Sequence, residues 1–439
     1  MGTYVPNTKE EQLEMLNEIG YKNFDALFAD VPEEVKLQEE LKLPQGISEM
    51  ETSARMEEIA EKNRIFKYMF RGGGAYHHYI PSIVKSVTAK ETFLTAYTPY
   101  QSEISQGILQ SIFEYQTMIC ELTGMDISNA SVYDGASAAA EAVAMCRNKK
   151  RKDVYVSQTI NPQVMSTIKT YCFGSGTNLF IVPEKDGIMD NEALKEMLDD
   201  KAACFYMEQP NYYGIVEDGE KVSELVHEKG ASFIMGCNPT SLGILKTPGE
   251  CGADIAVGEG QPLGMPLSFG GPYLGFMAAT SKMMRKLPGR IVGETVDMDG
   301  KRAFVLTLQA REQHIKRERA SSNICSNQAL CAMTASVYMA VMGNEGIRQT
   351  AIQCTSKAHY LQKELEKAGL KLKYPYEFFH EFVTVSDKNA EEILKELEKE
   401  SILGGLPIGE NEILWCTTEL NAKAHMDKLV HIVKEMHKK

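Results

Sequence analysis

Few residues in this sequence stand in a pattern that could do chemistry alone. Asp134-Gly135-Ala136-Ser137 is a run of small residues ahead of an alanine-rich stretch. At a helix N-terminus such a run offers free backbone N–H groups, which together with the helix dipole favour an anion such as a phosphate. A plain N-cap explains the same residues equally well. Gly258, Gly260 and Gly264 follow an apolar run as a dinucleotide loop would. Pro262 and Pro266 forbid the helix that would hold a pyrophosphate, so a tight irregular turn is expected there. No Gly-x-x-x-x-Gly-Lys-Ser/Thr occurs, which argues against a P-loop. His77 and His78 are adjacent, and no His/Asp/Glu set has ligand spacing on one helix face, so no metal site is expected. The ten cysteines form no Cys-x-x-Cys pair. They read as small buried hydrophobes in a reducing compartment.

Two polar segments stand out. Tyr97, Thr98, Tyr100, Gln101 and Glu103 lie just before a long apolar-striped helix, and Pro99 fixes an extended approach to it. As a cap, the segment would place Glu103 favourably on the helix dipole. Two tyrosines, an amide and an acid within seven residues exceed what a cap needs. The second segment, residues 311–323, gathers Arg311, Lys316, Arg317 and Arg319 in an otherwise acidic chain. Arg311 and Lys316 read as a basic surface helix. Arg319, Ser321, Ser322 and Asn323 precede another apolar helix and offer small donors.

The elements that must position these residues follow from periodicity. A chain of 439 residues is too long for one ordinary core. Its net charge of −13 argues against a nucleic-acid partner and an anionic membrane. The start is polar, with no signal-type apolar region, and no run approaches the roughly 18 apolar residues of a membrane helix. A cytoplasmic protein is expected. Residues 1–70 read as a helical region, either an arm that grips a partner or a cap on the main domain. Thr8 with Glu11 and Ser48 with Glu51 have capping-box spacing, and Gly20 stands where a C-cap belongs. A helix is expected from about Glu103 to Leu122, with Ile104, Ile108, Ile112, Tyr115, Ile119 and Leu122 as its stripe. Apolar runs at 154–156, 178–182, 203–207, 232–235, 254–257 and 274–279 alternate with helical stretches, the pattern of a mostly parallel sheet covered on both faces. Residues 71–325 thus form a large α/β domain. Helices over 327–342 and 346–367, then strand, helix, strand, helix, make residues 326–439 a small α+β domain.

Helical arm, large α/β domain and small C-terminal domain, in that order, resemble fold type I pyridoxal-phosphate (PLP) enzymes, with Asp134–Ser137 where such enzymes bind the cofactor phosphate. Two chemical anchors of that fold are missing. An aspartate after a central strand should keep the pyridine nitrogen protonated. Here the strand at 232–235 leads into Gly236-Cys237-Asn238-Pro239. A lysine after a later strand should form the Schiff base. No lysine occurs between Lys246 and Lys282.

The stretches GGGAYHHYIPSIV, YTPYQSEISQG, GRIVGETVD and LTLQAREQHIKRERASSNICSNQAL closely resemble the N-terminal half of the glycine cleavage system P-protein family, the decarboxylating glycine dehydrogenases. The resemblance runs from the arm to the last helix, and the length fits the subunit 1 of forms split into two chains. It implies that PLP and its lysine sit on a second subunit, in a heterotetramer of two copies of each. It implies glycine as substrate, loss of CO2, and transfer of the aminomethyl group to the lipoyl arm of H-protein, whose disulfide accepts the electrons. The make-up of Tyr97, Thr98, Tyr100, Gln101 and Glu103 suits a loop that lines the partner's active site, and the likeness to fold type I dimers implies that Arg319, Ser321, Ser322 and Asn323 reach the partner's cofactor phosphate. Two departures are visible. His77 stands where many relatives carry an acid, and Arg319 is followed by Ala-Ser-Ser-Asn rather than Ala-Thr-Ser-Asn. Two other readings stay open: a complete PLP enzyme using Lys282, and a non-catalytic scaffold on a retired enzyme fold.

Overall fold

The computed structural model describes residues 6–39, 41–94 and 99–438. The described chain divides into two compact units, Met1–Ile65 and Phe66–Lys439. In the first, helices Lys9–Glu18 and Glu49–Ala60 both begin with the expected capping boxes, Thr8 with Glu11 and Ser48 with Glu51. Gly20 follows the first helix with φ +85°, the left-handed position that glycine takes without a Cβ penalty. Among this unit's described residues only Leu16 is buried. Its helices are therefore held by caps and local bonds more than by a core of their own.

The second unit is built on a seven-stranded sheet. Its strands are β1 (Ile127–Ser128), β2 (Asp153–Ser157), β3 (Leu179–Val182), β4 (Ala202–Gln209), β5 (Ser232–Cys237), β6 (Ile255–Glu259) and β7 (Gly275–Ala279). They lie in the order β1-β7-β6-β5-β4-β2-β3. Strands β6, β5, β4, β2 and β3 run parallel, and β7 runs antiparallel to both its neighbours. Strands β2 and β7 are buried along their whole length and β4 nearly so, as two covered faces require. The chain steps outward from β2 to β3, then returns to lay β4 on the other side of β2. Such a reversal opens a crevice beyond the carboxyl ends of the strands. This is the fold type I architecture expected from the sequence.

Two helices pack on that sheet, and the second opens at the crevice. Helix α1 is Gln106–Thr123, with Ile108, Leu109, Ile112, Tyr115 and Ile119 buried and Gly124 closing it at φ +69°. It starts three residues later than periodicity suggested, because Tyr100 and Ser102–Ser105 turn into it. Glu103 therefore lies outside the helix and is exposed, and Ile104 is 77% exposed rather than part of the stripe. Helix α2 is Gly135–Cys146, whose alanines let it lie close on the sheet. Asp134 is its N-cap, accepting the Ser137 N–H at 2.7 Å. At Gly135 an added Cβ would stand 2.8 Å from the backbone nitrogen of Glu259, so glycine is demanded by close approach.

A long helical run, Ala329–Lys367, leads out of the large sheet; Gly343, at φ 59° and ψ −177°, breaks it into the two helices expected. The C-terminal part is a four-stranded antiparallel sheet in the order Lys371–Leu372, Glu381–Val385, Glu412–Cys416, Leu406–Gly409. Helices Ala390–Lys399 and Lys423–Lys438 belong with it. Not foreseen were the hairpin Val292–Val296 with Arg302–Leu306 and the two-residue parallel pairing of Tyr68–Met69 with Ile402–Leu403. The hairpin reads as loop in sequence because GETVD is polar and most of the first strand is exposed. All ten cysteines are free, and eight are buried. Among the described residues no helix is long and apolar enough to cross a membrane.

Candidate functional site

The crevice is a cavity of about 710 Å3 at the carboxyl ends of β2, β4, β5 and β6. Its rim is the glycine-rich loop 72–76, the start of α2, and residues His380 and Glu381 from the small sheet. Among the described residues no lysine or arginine lines it, whereas Asp134, Glu208, Glu259 and Glu381 all do.

Each of the three glutamates ties a loop to the sheet. At the end of β4, Glu208 accepts the Asn161 N–H at 2.8 Å and the Tyr206 hydroxyl at 3.1 Å. Burial pushes its carboxyl up to about 7, against the lowering effect of those bonds. Glu381 accepts the Gly73 N–H at 2.7 Å and the Tyr76 hydroxyl at 2.7 Å. Burial raises it to about 7 as well, and the nearby Glu208 adds to the rise. A Cβ at Gly72 would come within 2.3 Å of the Glu381 Oε1, so this loop too is glycine because the carboxylate presses on it. Glu259, the last residue of β6, takes three backbone N–H groups: Gly135 at 2.9 Å, Gln261 at 3.0 Å and Leu274 at 2.9 Å. Burial raises it to about 6.

Where a pyridine-binding acid was sought, Asn238 stands instead. Its amide lies 3.2 Å from the His380 Nε2 and its Oδ1 accepts the Thr240 N–H. Burial, and then repulsion from His78, hold His380 well below the usual histidine range, so its Nε2 is a neutral acceptor for the Asn238 amide. Gln261 binds the loop after β6 to the glycine-rich loop through both the N–H and the carbonyl of Tyr76, each at 2.9 Å. Outside the cavity, His78, Cys354 and Glu419 come together from distant segments, with ligand-type atoms within 4.8 Å of one another, a grouping invisible to a search for spacing on one helix. Glu419 already accepts from the His78 Nδ1 at 2.8 Å, and although burial pushes its carboxyl up, His78 brings it below the usual range.

Of the residues singled out from sequence, Tyr97 and Thr98 lie outside the described residues. Neither Tyr100, Gln101 and Glu103 nor Arg319, Ser321, Ser322 and Asn323 line this cavity. Tyr100 instead touches chain outside the second segment: its hydroxyl donates to the Asn327 Oδ1, and the Arg290 guanidinium stacks 5.0 Å over its ring. Gln101, Glu103, Arg319, Ser321 and Asn323 are exposed, while the Ser322 hydroxyl accepts the Ile324 N–H at 3.1 Å. Arg311 is not on a basic surface helix. It is half-buried and donates to the Gly289 carbonyl at 2.7 Å, because the chain turns through two short helical pieces there rather than one long helix. Lys282 sits exposed on a 3-10 turn and does not line the cavity.

Sequence reasoning missed Glu208, Glu259 and Glu381. A signal existed for two of them. Glu208 is the lone acid closing the apolar strand AACFYMEQ, and Glu259 stands between two glycines directly after DIAV. Glu381 carries no such mark, since it reads as one residue of an alternating strand.

A family model described as "Glycine cleavage system P-protein" matches residues 2–433. The "Probable glycine dehydrogenase (decarboxylating) subunit 1" of Syntrophomonas wolfei is 48% identical over 433 residues, covering 98% of each chain. The protein of the same name from Desulforamulus reducens is 48% identical over 437 residues, 97% of this chain and 98% of its own. Among solved structures, glycine decarboxylase (P-protein) of the glycine cleavage system in inhibitor-bound form superposes with a TM-score of 0.93. It is 40% identical and covers 99% of this chain and 100% of its own. A sphingosine-1-phosphate lyase from Burkholderia pseudomallei, 11% identical with a TM-score of 0.69 over 92% and 93% of the two chains, shares the fold alone.

Proposed function

The chain belongs to the glycine cleavage system P-protein family, and on that premise we propose that it is the cofactor-free half of a two-subunit glycine decarboxylase. Its partner carries PLP on a lysine. Together the two decarboxylate glycine and pass the aminomethyl group to the lipoyl arm of H-protein. The observation that supports this is the composition of the chain's own cavity, which presents four acids and no lysine or arginine where a PLP enzyme needs an amine and a phosphate clamp. Asn238 could not hold a pyridinium proton as an aspartate would. The residues do not fit PLP, and no step of the reaction is assigned to this cavity. A cytoplasmic setting agrees with ten unpaired cysteines.

In this reading the chain contributes surface rather than its own cavity. The Tyr100–Asn327 bond ties the turn before α1 to the chain that follows Asn323. Tyr97, Thr98, Tyr100, Gln101 and Glu103 would line the partner's glycine and lipoyl site. Arg319, Ser321, Ser322 and Asn323 would reach the partner's cofactor phosphate. The residues 1–65 unit, with so little buried apolar surface of its own, suits an arm that closes on the partner. The test is glycine–bicarbonate exchange, assayed for each subunit alone and for the co-expressed pair. Exchange by the pair only is expected. Exchange by this chain alone would favour a complete enzyme, and a pair indifferent to changes at Glu103 and Ser321 would favour a scaffold.

A further inference from the structure

Fold type I enzymes need an anion at the N-terminus of the helix corresponding to α2, because its first N–H groups have no partner within the helix. Here those groups are provided for from inside the protein. The Gly135 N–H reaches the Glu259 Oε2 at 2.9 Å, and the Ser137 N–H reaches Asp134. Glu259 is partly buried, faces no lysine or arginine among the described residues lining the cavity, and is fixed on its other oxygen by the Gln261 and Leu274 N–H groups. It extends from β6, the strand whose following loop should hold the Schiff-base lysine. The two requirements of the cofactor are thus answered by one side chain of the wrong charge.

We propose that the Glu259 carboxylate is a built-in occupant of the oxyanion position at the start of α2, and that it is this residue which bars a phosphate group from the cavity. The inference rests on the cofactor-free reading above and adds its cause. Removing the side chain should leave the Gly135 N–H and the helix dipole facing an open space of phosphate size, with Asp134 still present to keep the affinity modest.

The test uses the assembled two-subunit complex and inorganic phosphate as probe, with melting temperature of this subunit followed against phosphate concentration. The wild type and Glu259→Gln, which fills the same volume without the charge, should show no phosphate dependence beyond a sodium chloride control. Glu259→Ala should melt progressively higher as phosphate rises, its apparent affinity at least about tenfold tighter than that of the wild type. The readout survives a destabilised variant, since a weakly folded Glu259→Ala should be rescued by phosphate. A wild-type chain that binds phosphate at this site, or a Glu259→Ala chain that phosphate does not stabilise, would overturn the proposal. If the wild-type chain instead takes up PLP covalently, it is the cofactor-free reading that fails.

Discussion

A buried carboxyl that holds a proton at neutral pH leaves a signature in stability. The Glu381 carboxyl is raised to about 7 in the folded chain, while the unfolded side chain titrates near 4.5. Between those values the folded state keeps a proton that the unfolded state has released. Its contribution to stability is therefore full at low pH and is lost as pH rises through about 7, with a slope of up to about 1.4 kcal/mol per pH unit. Glu381→Gln should remove that slope. Urea unfolding of both proteins at pH 5.5, 6.5 and 7.5 should show the wild type losing ground to the variant as pH rises, and parallel curves would refute the assignment. At the proposed interface, alanine at Ser321 and Ser322 should weaken PLP binding by the pair about ten- to a hundredfold. That is the value of one charge-assisted bond, roughly 1.5–3 kcal/mol. A PLP titration with assembly verified by size decides it. Glu103→Gln should lower turnover with assembly intact, which steady-state kinetics of the pair will show. At this scale the sequence was half legible. The missing lysine and aspartate could be read directly, because an absence in a short interval needs no geometry. The three glutamates that line the cavity were missed, although Glu208 and Glu259 carry a local mark, because their role lies in the loop each one holds, 47 to 308 residues away in the chain.

Helices and strands were the most legible level. Strand positions and the helix Ala390–Lys399 came straight from periodicity, since both faces of the large sheet are buried and its strands are continuous apolar runs. The start of α1 was misplaced because Ile104 continues the helical stripe in sequence while the chain is still turning. The start of α2 was placed correctly, because Asp134 and the small residues after it carry their own capping chemistry. That junction also supplies a prediction. Gly135→Ala would drive a Cβ to 2.8–3.0 Å from the backbone and Cβ of Glu259. Such overpacking should cost about 1–3 kcal/mol, read as a lower urea midpoint at unchanged m-value. A variant as stable as the wild type would mean that α2 and β6 are free to part, contrary to the packing described.

For the whole molecule, the sequence carried the fold and the family. The large sheet has the fold type I architecture, and its crevice is lined by carboxylates with no lysine or arginine among the described residues. On the reading proposed above, what the chain offers the reaction lies on its surface, around Tyr100 and the Arg319–Asn323 stretch. The most direct test of that account is borohydride reduction of the co-expressed pair in the presence of PLP, followed by peptide mapping of both subunits. The account predicts one stoichiometric pyridoxyl-lysine, on the partner, and none on this chain. A stoichiometric pyridoxyl group on any lysine of this chain, Lys282 included, would contradict it.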